Sequence, residues 1–181
     1  KAEQFLLDAL EGGCEGLMSK ALDGGYRAGA RGWQWIKYKP DYRSDLVDTI
    51  DAVVVGGFHG RGRRGGFWGA LLMATRTPTG FETVCKLGSG FSDEDLAALK
   101  QRLDTIQCTE PPAGLEWKLE PDAWFEPELV LELLGAEISQ SPIHTCGGGY
   151  AVRFPRYKRQ RDDKTPETAT SSDEVVEMFK Q

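Results

Sequence analysis

No apolar run in these 181 residues is long enough to cross a membrane as a helix, which excludes a helical integral membrane protein. Cysteine is scarce. The four thiols, Cys14, Cys85, Cys108 and Cys146, are widely spaced and form no Cys-x-x-Cys pair. That excludes a disulfide scaffold and reads as reduced thiols of an intracellular protein, in the cytoplasm of a prokaryote or the nucleus of a eukaryote. Histidine is scarcer still, with two residues. His144 and Cys146 are close together, but two candidate ligands do not make a zinc site, so both read as loop residues. The sequence shows no internal repeat and no low-complexity segment. Lys1-Ala2-Glu3-Gln4 has no signal-peptide character, and the missing initiator Met reads as a fragment or a processed chain.

What is present is enough hydrophobic residue, 40%, to build a real core, and charge that is unevenly placed. The net charge is −6, yet residues 31–64 hold seven basic groups against four acidic, and residues 149–164 hold six against two. Residues 92–141 hold three basic against twelve acidic. An acidic protein with two basic segments can still present a basic face to phosphates.

Residues 1–10 carry Phe5, Leu6, Ala9 and Leu10 at helical spacing, stopped by Gly12-Gly13. Residues 14–20 and 33–39 read as strands, with Pro40 ending the second and a charged linker at 41–48. The chain then becomes rich in strand patterns. Strands are expected at 50–58, 67–75, 81–87, 117–120, 129–138 and 150–154, with the turn Pro78-Thr79-Gly80 between the second and third of these. One helix is expected from a Ser92 cap, with Asp95 three residues on, to about Leu103, and a short one over 173–180. About five strands interrupted by one helix suit a small Greek-key barrel of the OB type. The expected division is 1–44 and 45–181.

Four segments carry candidate chemistry. In a strand of period two, Lys37 and Lys39 share a side and can hold two oxygens of one phosphate. The alternative is an exposed strand face. Trp33, Trp35 and Tyr38 beside them imply partial burial, and buried lysines need anionic partners. Glu15 near a phosphate site would be repulsive unless a divalent cation lay between, so it is a candidate metal ligand or else a surface glutamate. Met18 can face an apolar ligand ring or belong to a core. Gly60-Arg61-Gly62-Arg63-Arg64-Gly65 fits Gly-x-Gly-x-x-Gly, but a strand rather than a helix follows, so a dinucleotide fingerprint is rejected. Arg61, Arg63 and Arg64 suit DNA phosphates; a mobile hairpin loop is the alternative. Residues 153–164 pack six basic groups and Pro155 into one stretch.

The motifs Glu15-Gly16-Leu17-Met18-Ser19-Lys20, Lys37-Tyr38-Lys39, Phe154-Pro155-Arg156 and Arg161-Asp162-Asp163-Lys164, in this order, resemble the C-terminal half of an ATP-dependent DNA ligase of the archaeal and eukaryotic type. The resemblance covers nearly the whole chain and includes the segment from Asp51 to Phe67 and Gly88-Ser89-Gly90-Phe91. It implies the end of an adenylation (nucleotidyltransferase, ATP-grasp-like) domain followed by an OB-fold domain. It implies ATP and Mg2+ as cofactors, and nicked double-stranded DNA and an upstream catalytic half as partners. The implied activity is sealing of 3′-hydroxyl, 5′-phosphate nicks through enzyme-AMP and DNA-adenylate, as in DNA replication, repair and recombination. Glu15 would help bind the metal, Met18 would pack on adenine, and Lys37 and Lys39 would contact the AMP phosphate. Arg161, Asp163 and Lys164 would orient the pyrophosphate leaving group, with the Asp163 carboxylate positioning Arg161 or Lys164.

The chain departs from the family pattern in one respect. The nucleophile is the lysine of a Lys-x-Asp-Gly motif, and Lys20-Ala21-Leu22-Asp23-Gly24 is one residue too long to be it. This chain alone is therefore expected to be inactive in self-adenylylation. Two rival readings are an RNA ligase or capping-type nucleotidyltransferase, and a nucleic-acid-binding OB module with no activity of its own.

Overall fold

A computed structural model describes residues 2–14, 16–25, 28, 33–38 and 49–180 of the chain. The chain divides into two compact units, Lys1–Arg43 and Ser44–Gln181. The expected linker at 41–48, with Glu15 and Lys39, lies outside the described residues.

The first unit contains helix α1, Ala2–Glu11, and strands β1, Leu17–Lys20, and β2, Trp35–Tyr38. Gly12 and Gly13 close α1 with bonds back to Asp8 and Leu10. Among the described residues, strands β1 and β2 pair antiparallel with each other alone, and every residue of β2 is exposed. The partial burial expected around Lys37 is not found. Trp35 and Tyr38 are 41% and 43% exposed.

The second unit is built on β3, Ile50–His59. It continues through β4, Trp68–Thr77, β5, Gly80–Leu87, and helix α2, Asp93–Thr105. Short strands follow: β6, Gln107–Cys108, β7, Leu115–Glu116, and β8, Ala123–Phe125. Next come β9, Val130–Leu134, β10, Glu137–Gln140, β11, Tyr150–Arg153, β12, Arg156–Gln160, and helix α3, Ser172–Lys180. The main sheet runs β12-β9-β3-β4-β5-β7, with β8 bridging β3 and β6, and β10-β11 form a separate hairpin. The pairs are antiparallel except β5 with β7. The topology is that of the OB-fold Greek-key barrel, mainly β with some α.

Strand β3 is apolar without alternation because both of its faces are buried. Ile50, Ala52 and Val54 pack into one cluster with Leu71, Phe125 and Leu133. Val53 and Val55 pack into the other with Leu72 and Trp124. The strand changes partner along its length: Ile50–Val53 pair with β9, while Gly56 and Gly57 pair with β8. Register shifts against β4 between Val54 and Gly56 curl the sheet there. Gly57 is needed at the bend, since a Cβ would lie 2.8 Å from both Phe125 and Trp68.

Helix α2 begins on the expected Ser92. Its hydroxyl accepts from the Asp95 amide, and the Asp95 carboxylate accepts from the Ser92 amide. Leu96, Leu99 and Leu103 form its buried stripe. Two expectations fail, and one strand was not expected. Residues 117–120 are not a strand, and the pairing falls at Leu115–Glu116, where β5 offers a partner. The expected strand at 129–138 is two strands broken at Gly135, since β9 joins the main sheet and β10 the hairpin. The basic stretch after Pro155 is itself a strand, β12, whose charge masked its alternation.

Candidate functional site

In the β1-β2 ribbon, Met18 stands directly opposite Lys37, and Lys20 opposite Trp35. Directly opposed residues share a face, as do residues two apart along a strand. Met18, Lys20, Trp35 and Lys37 therefore form one face, with the Lys20 ammonium 4.5 Å from the Trp35 ring centroid. An apolar thioether beside a cation is the pair needed to hold a flat heterocycle and a phosphate that belong to one ligand. Among the described residues no three His, Cys, Asp or Glu side chains converge to hold a metal ion. The expected metal ligand Glu15 is not among them.

The second cluster sits where β3, β9 and β12 lie side by side. Asp51 stands opposite Glu132, and Glu132 opposite Arg159. Asp51 and Glu132 are both buried. Two buried carboxylates facing each other would repel, so the site requires cations. The segment after β12 supplies them. The Arg161 amide donates to the Val130 carbonyl, anchoring the turn on β9. Arg161 Nη1 donates to both carboxylate oxygens of Asp51, at 2.9 and 3.0 Å. Lys164 Nζ donates to Asp51 Oδ2 at 2.6 Å. Arg159 Nε donates to Glu132.

The other edge of the Arg161 guanidinium is taken by Asp163, with Nε and Nη2 donating to its two oxygens at 2.8 Å each. Of the two cations that Asp163 was expected to serve, the structure places it on Arg161. This fork-to-fork pairing raises the Arg161 pKa further above its ordinary value and draws Asp163 well below the usual carboxylate range. The hydrogen bond from Arg159 likewise lowers the Glu132 pKa. Exposure divides the acids: the Asp51 side chain is 9% exposed and that of Asp163 65%. Sequence reasoning missed Asp51 and Glu132. Each is a lone carboxylate inside an apolar strand, Ile50-Asp51-Ala52-Val53 and Val130-Leu131-Glu132-Leu133, and a buried acid of that kind needs a cation partner.

The arginine-rich loop joins β3 to β4 and contains the 3-10 turn Gly62–Arg64. It is internally bonded: Gly60 donates to the Phe67 carbonyl at 2.9 Å and Phe67 to that of Arg64 at 3.1 Å. Gly60 admits no side chain, because a Cβ would lie 2.0 Å from the Arg64 carbonyl oxygen. The three arginines are not equivalent. Arg61 and Arg63 are exposed, whereas Arg64 is half-buried and its Nη1 donates to the carbonyls of Gly69 and Gly88. Arg64 thus ties the loop to the Gly88-Ser89-Gly90-Phe91 segment. That segment in turn holds the start of the basic stretch: Ser89 donates to the Pro155 carbonyl, and the Tyr157 amide to that of Ser89.

A family model described as ATP dependent DNA ligase C terminal region matches residues 64–164, and one described as ATP dependent DNA ligase domain matches residues 1–39. A DNA ligase of Hyperthermus butylicus is 51% identical over 98% of this chain and 31% of its own length. DNA ligase 2 of Thermofilum pendens is 52% identical over 97% of this chain and 31% of its own length. The chain thus spans about a third of the curated relatives it matches. Among solved structures, the ligase domain of M. tuberculosis LigD is similar with a TM-score of 0.58 and 25% identity, covering 93% of this chain and 51% of that one. A mycobacterial DNA ligase D complexed with ATP and MES gives a TM-score of 0.51 at 26% identity, covering 93% and 50%.

Proposed function

Since this chain belongs to the ATP-dependent DNA ligase family and corresponds to its C-terminal portion, we propose that it supplies the phosphate-handling half of an enzyme that seals 3′-hydroxyl, 5′-phosphate nicks in double-stranded DNA through enzyme-AMP and DNA-adenylate. In this reading residues 1–44 end the adenylation domain and 45–181 form the OB-fold domain. An upstream half supplies the nucleophilic lysine.

The observation that carries the reading is the pairing of Met18 with Lys37 on one face of the ribbon. Met18 packs on the adenine. Lys37, together with Lys39, holds the AMP phosphate in every step that contains it. Arg161 and Lys164 neutralise charge that develops on pyrophosphate as it leaves ATP, a role worth most in a transition state. Asp163 keeps the guanidinium edge-on through its fork. Arg61 and Arg63 contact DNA phosphates from a loop whose backbone is already fixed. Glu15 would hold magnesium by the family pattern alone, and the ion would supply positive charge to the phosphates. The test is ATP-dependent closure of a nicked DNA duplex by the intact protein containing this chain, with a labelled enzyme-AMP band on a denaturing gel. Closure without ATP, or of nicked RNA in preference to DNA, would overturn the reading.

A further inference from the structure

Asp51 opens the segment to Phe67 that resembles the family but has no role assigned by that resemblance, yet among the described residues it is the one carboxylate that hydrogen-bonds both Arg161 and Lys164. We propose that Asp51 is a positioning residue that fixes these two cations relative to the barrel, and so sets the geometry in which they receive pyrophosphate. The inference rests on the proposed leaving-group role of Arg161 and Lys164.

Three features separate Asp51 from an ordinary surface counter-ion. Both of its backbone groups are held by one residue, its amide donating to Thr170 Oγ1 at 3.0 Å and its carbonyl accepting from the Thr170 amide at 2.9 Å. It lies in β3, the strand that pairs with β4, β8 and β9, so it cannot move without the sheet. It is buried, so water does not compete for its oxygens. Asp163 lacks all three. It is exposed and sits on the same turn as Arg161, closed by the Lys164 amide donating to the Arg161 carbonyl. Asp163 can orient the guanidinium within that turn but cannot locate the turn against the barrel. Asp51 does the locating.

The division of the guanidinium edges has a chemical consequence. Asp51 takes Nη1, and Asp163 takes the Nε and Nη2 edge. A phosphate that binds arginine in a fork competes with the exposed carboxylate, Asp163, while Nη1 stays on Asp51. Lys164 has three donors and, among the described residues, spends one on Asp51, leaving two for an anion. The pair thus arrives at the leaving group at a fixed spacing, with its ordering entropy already lost.

The experiment uses the intact enzyme containing this chain and measures single-turnover formation of enzyme-AMP and, separately, sealing of a pre-adenylated nick. Asp51→Asn keeps the volume but turns an acceptor into a group that repels one of its donors. It is expected to slow adenylylation about tenfold or more while sealing changes little. Asp51→Glu restores charge but displaces it by one methylene, and is expected to stay slow in adenylylation even where its melting temperature recovers. Adding Asp51→Asn to a variant that lacks both cations, Arg161→Ala with Lys164→Ala, is expected to slow adenylylation no further. Native adenylylation by Asp51→Asn beside a slow Arg161→Ala would overturn the positioning role and leave the leaving-group role standing. Equal loss of both steps, full rescue by Asp51→Glu, or a further loss on adding Asp51→Asn to the variant lacking both cations would overturn it too. Native adenylylation by Arg161→Ala would overturn the leaving-group role and this inference together.

Discussion

Asp51 and Arg161 are 110 residues apart in sequence and meet through two hydrogen bonds of 2.9 and 3.0 Å. The pair joins the first strand of the barrel to the turn after its last. Removing Arg161 leaves Asp51 buried, with Lys164 as its remaining cation among the described residues. Arg161→Ala is therefore expected to destabilise the barrel, and Lys164→Ala to do so by less, because the guanidinium satisfies both Asp51 oxygens. Urea unfolding of the intact protein followed through the barrel's tryptophans measures this. A larger loss for Lys164→Ala would contradict the ranking.

The loop arginines separate by role. Arg61→Ala with Arg63→Ala is expected to weaken nicked-duplex binding and reduce the slope of log affinity on log salt by about 0.9 for each DNA phosphate no longer neutralised. Arg64→Ala is expected to lower the melting temperature instead, by freeing the Gly69 and Gly88 carbonyls it now satisfies. Binding titrations at several salt concentrations check the first, and thermal unfolding the second. An unchanged slope in the Arg61 and Arg63 variant would return those residues to a solvated loop.

His144 makes a pH prediction. Its ring is buried, Nδ1 has no hydrogen-bond partner among the described residues, and burial pushes its pKa down to about 4 from an ordinary 6.5. The folded state therefore holds the ring neutral while the unfolded state charges it. The stability this represents is present above pH 6.5 and is lost as pH falls from 6.5 towards 4, with a slope of about 1.4 kcal/mol per unit at most. The carboxylates held low by cations, Glu132 and Asp163, add their losses only below their ordinary range. Unfolding measured from pH 7 to pH 5 is expected to show the slope in the native protein and not in His144→Phe. A flat profile in the native protein would contradict the buried neutral ring.

The sequence carried the elements whose signal is local. Ser92 with Asp95 marked the start of α2, and the apolar residues at 50–58 marked β3. It did not carry the break at Gly135, because Leu133, Leu134 and Ile138 continue an apolar pattern while the change of sheet partner is a tertiary choice. Strand β12 was hidden because Arg156, Lys158 and Arg159 give no apolar alternation, and its partner β9, where Glu132 stands opposite Arg159, is distant in sequence. The motifs located Lys37, Arg161 and Lys164, but a motif names residues and not their counter-ions. Asp51 became visible only once the fold had placed it beneath Arg161.

The chain without an upstream half contains no Lys-x-Asp-Gly motif. Incubated with radiolabelled ATP and magnesium, the isolated 181-residue chain is expected to give no labelled band on a denaturing gel. A band traced to one lysine of this chain would contradict the division of labour proposed for the two halves.

The central claim is that the two basic sites act in different steps, and a two-step assay on the intact enzyme tests it most directly. Lys37→Ala and Lys39→Ala are expected to impair both the formation of enzyme-AMP and the sealing of a pre-adenylated nick, because the AMP phosphate is present in each. Arg161→Ala is expected to impair enzyme-AMP formation and largely spare the sealing, because pyrophosphate has already left. The sealing step is also the control for folding, since a disrupted barrel loses it. Equal loss of both steps in a folded Arg161→Ala variant would contradict the account and assign Arg161 to DNA docking.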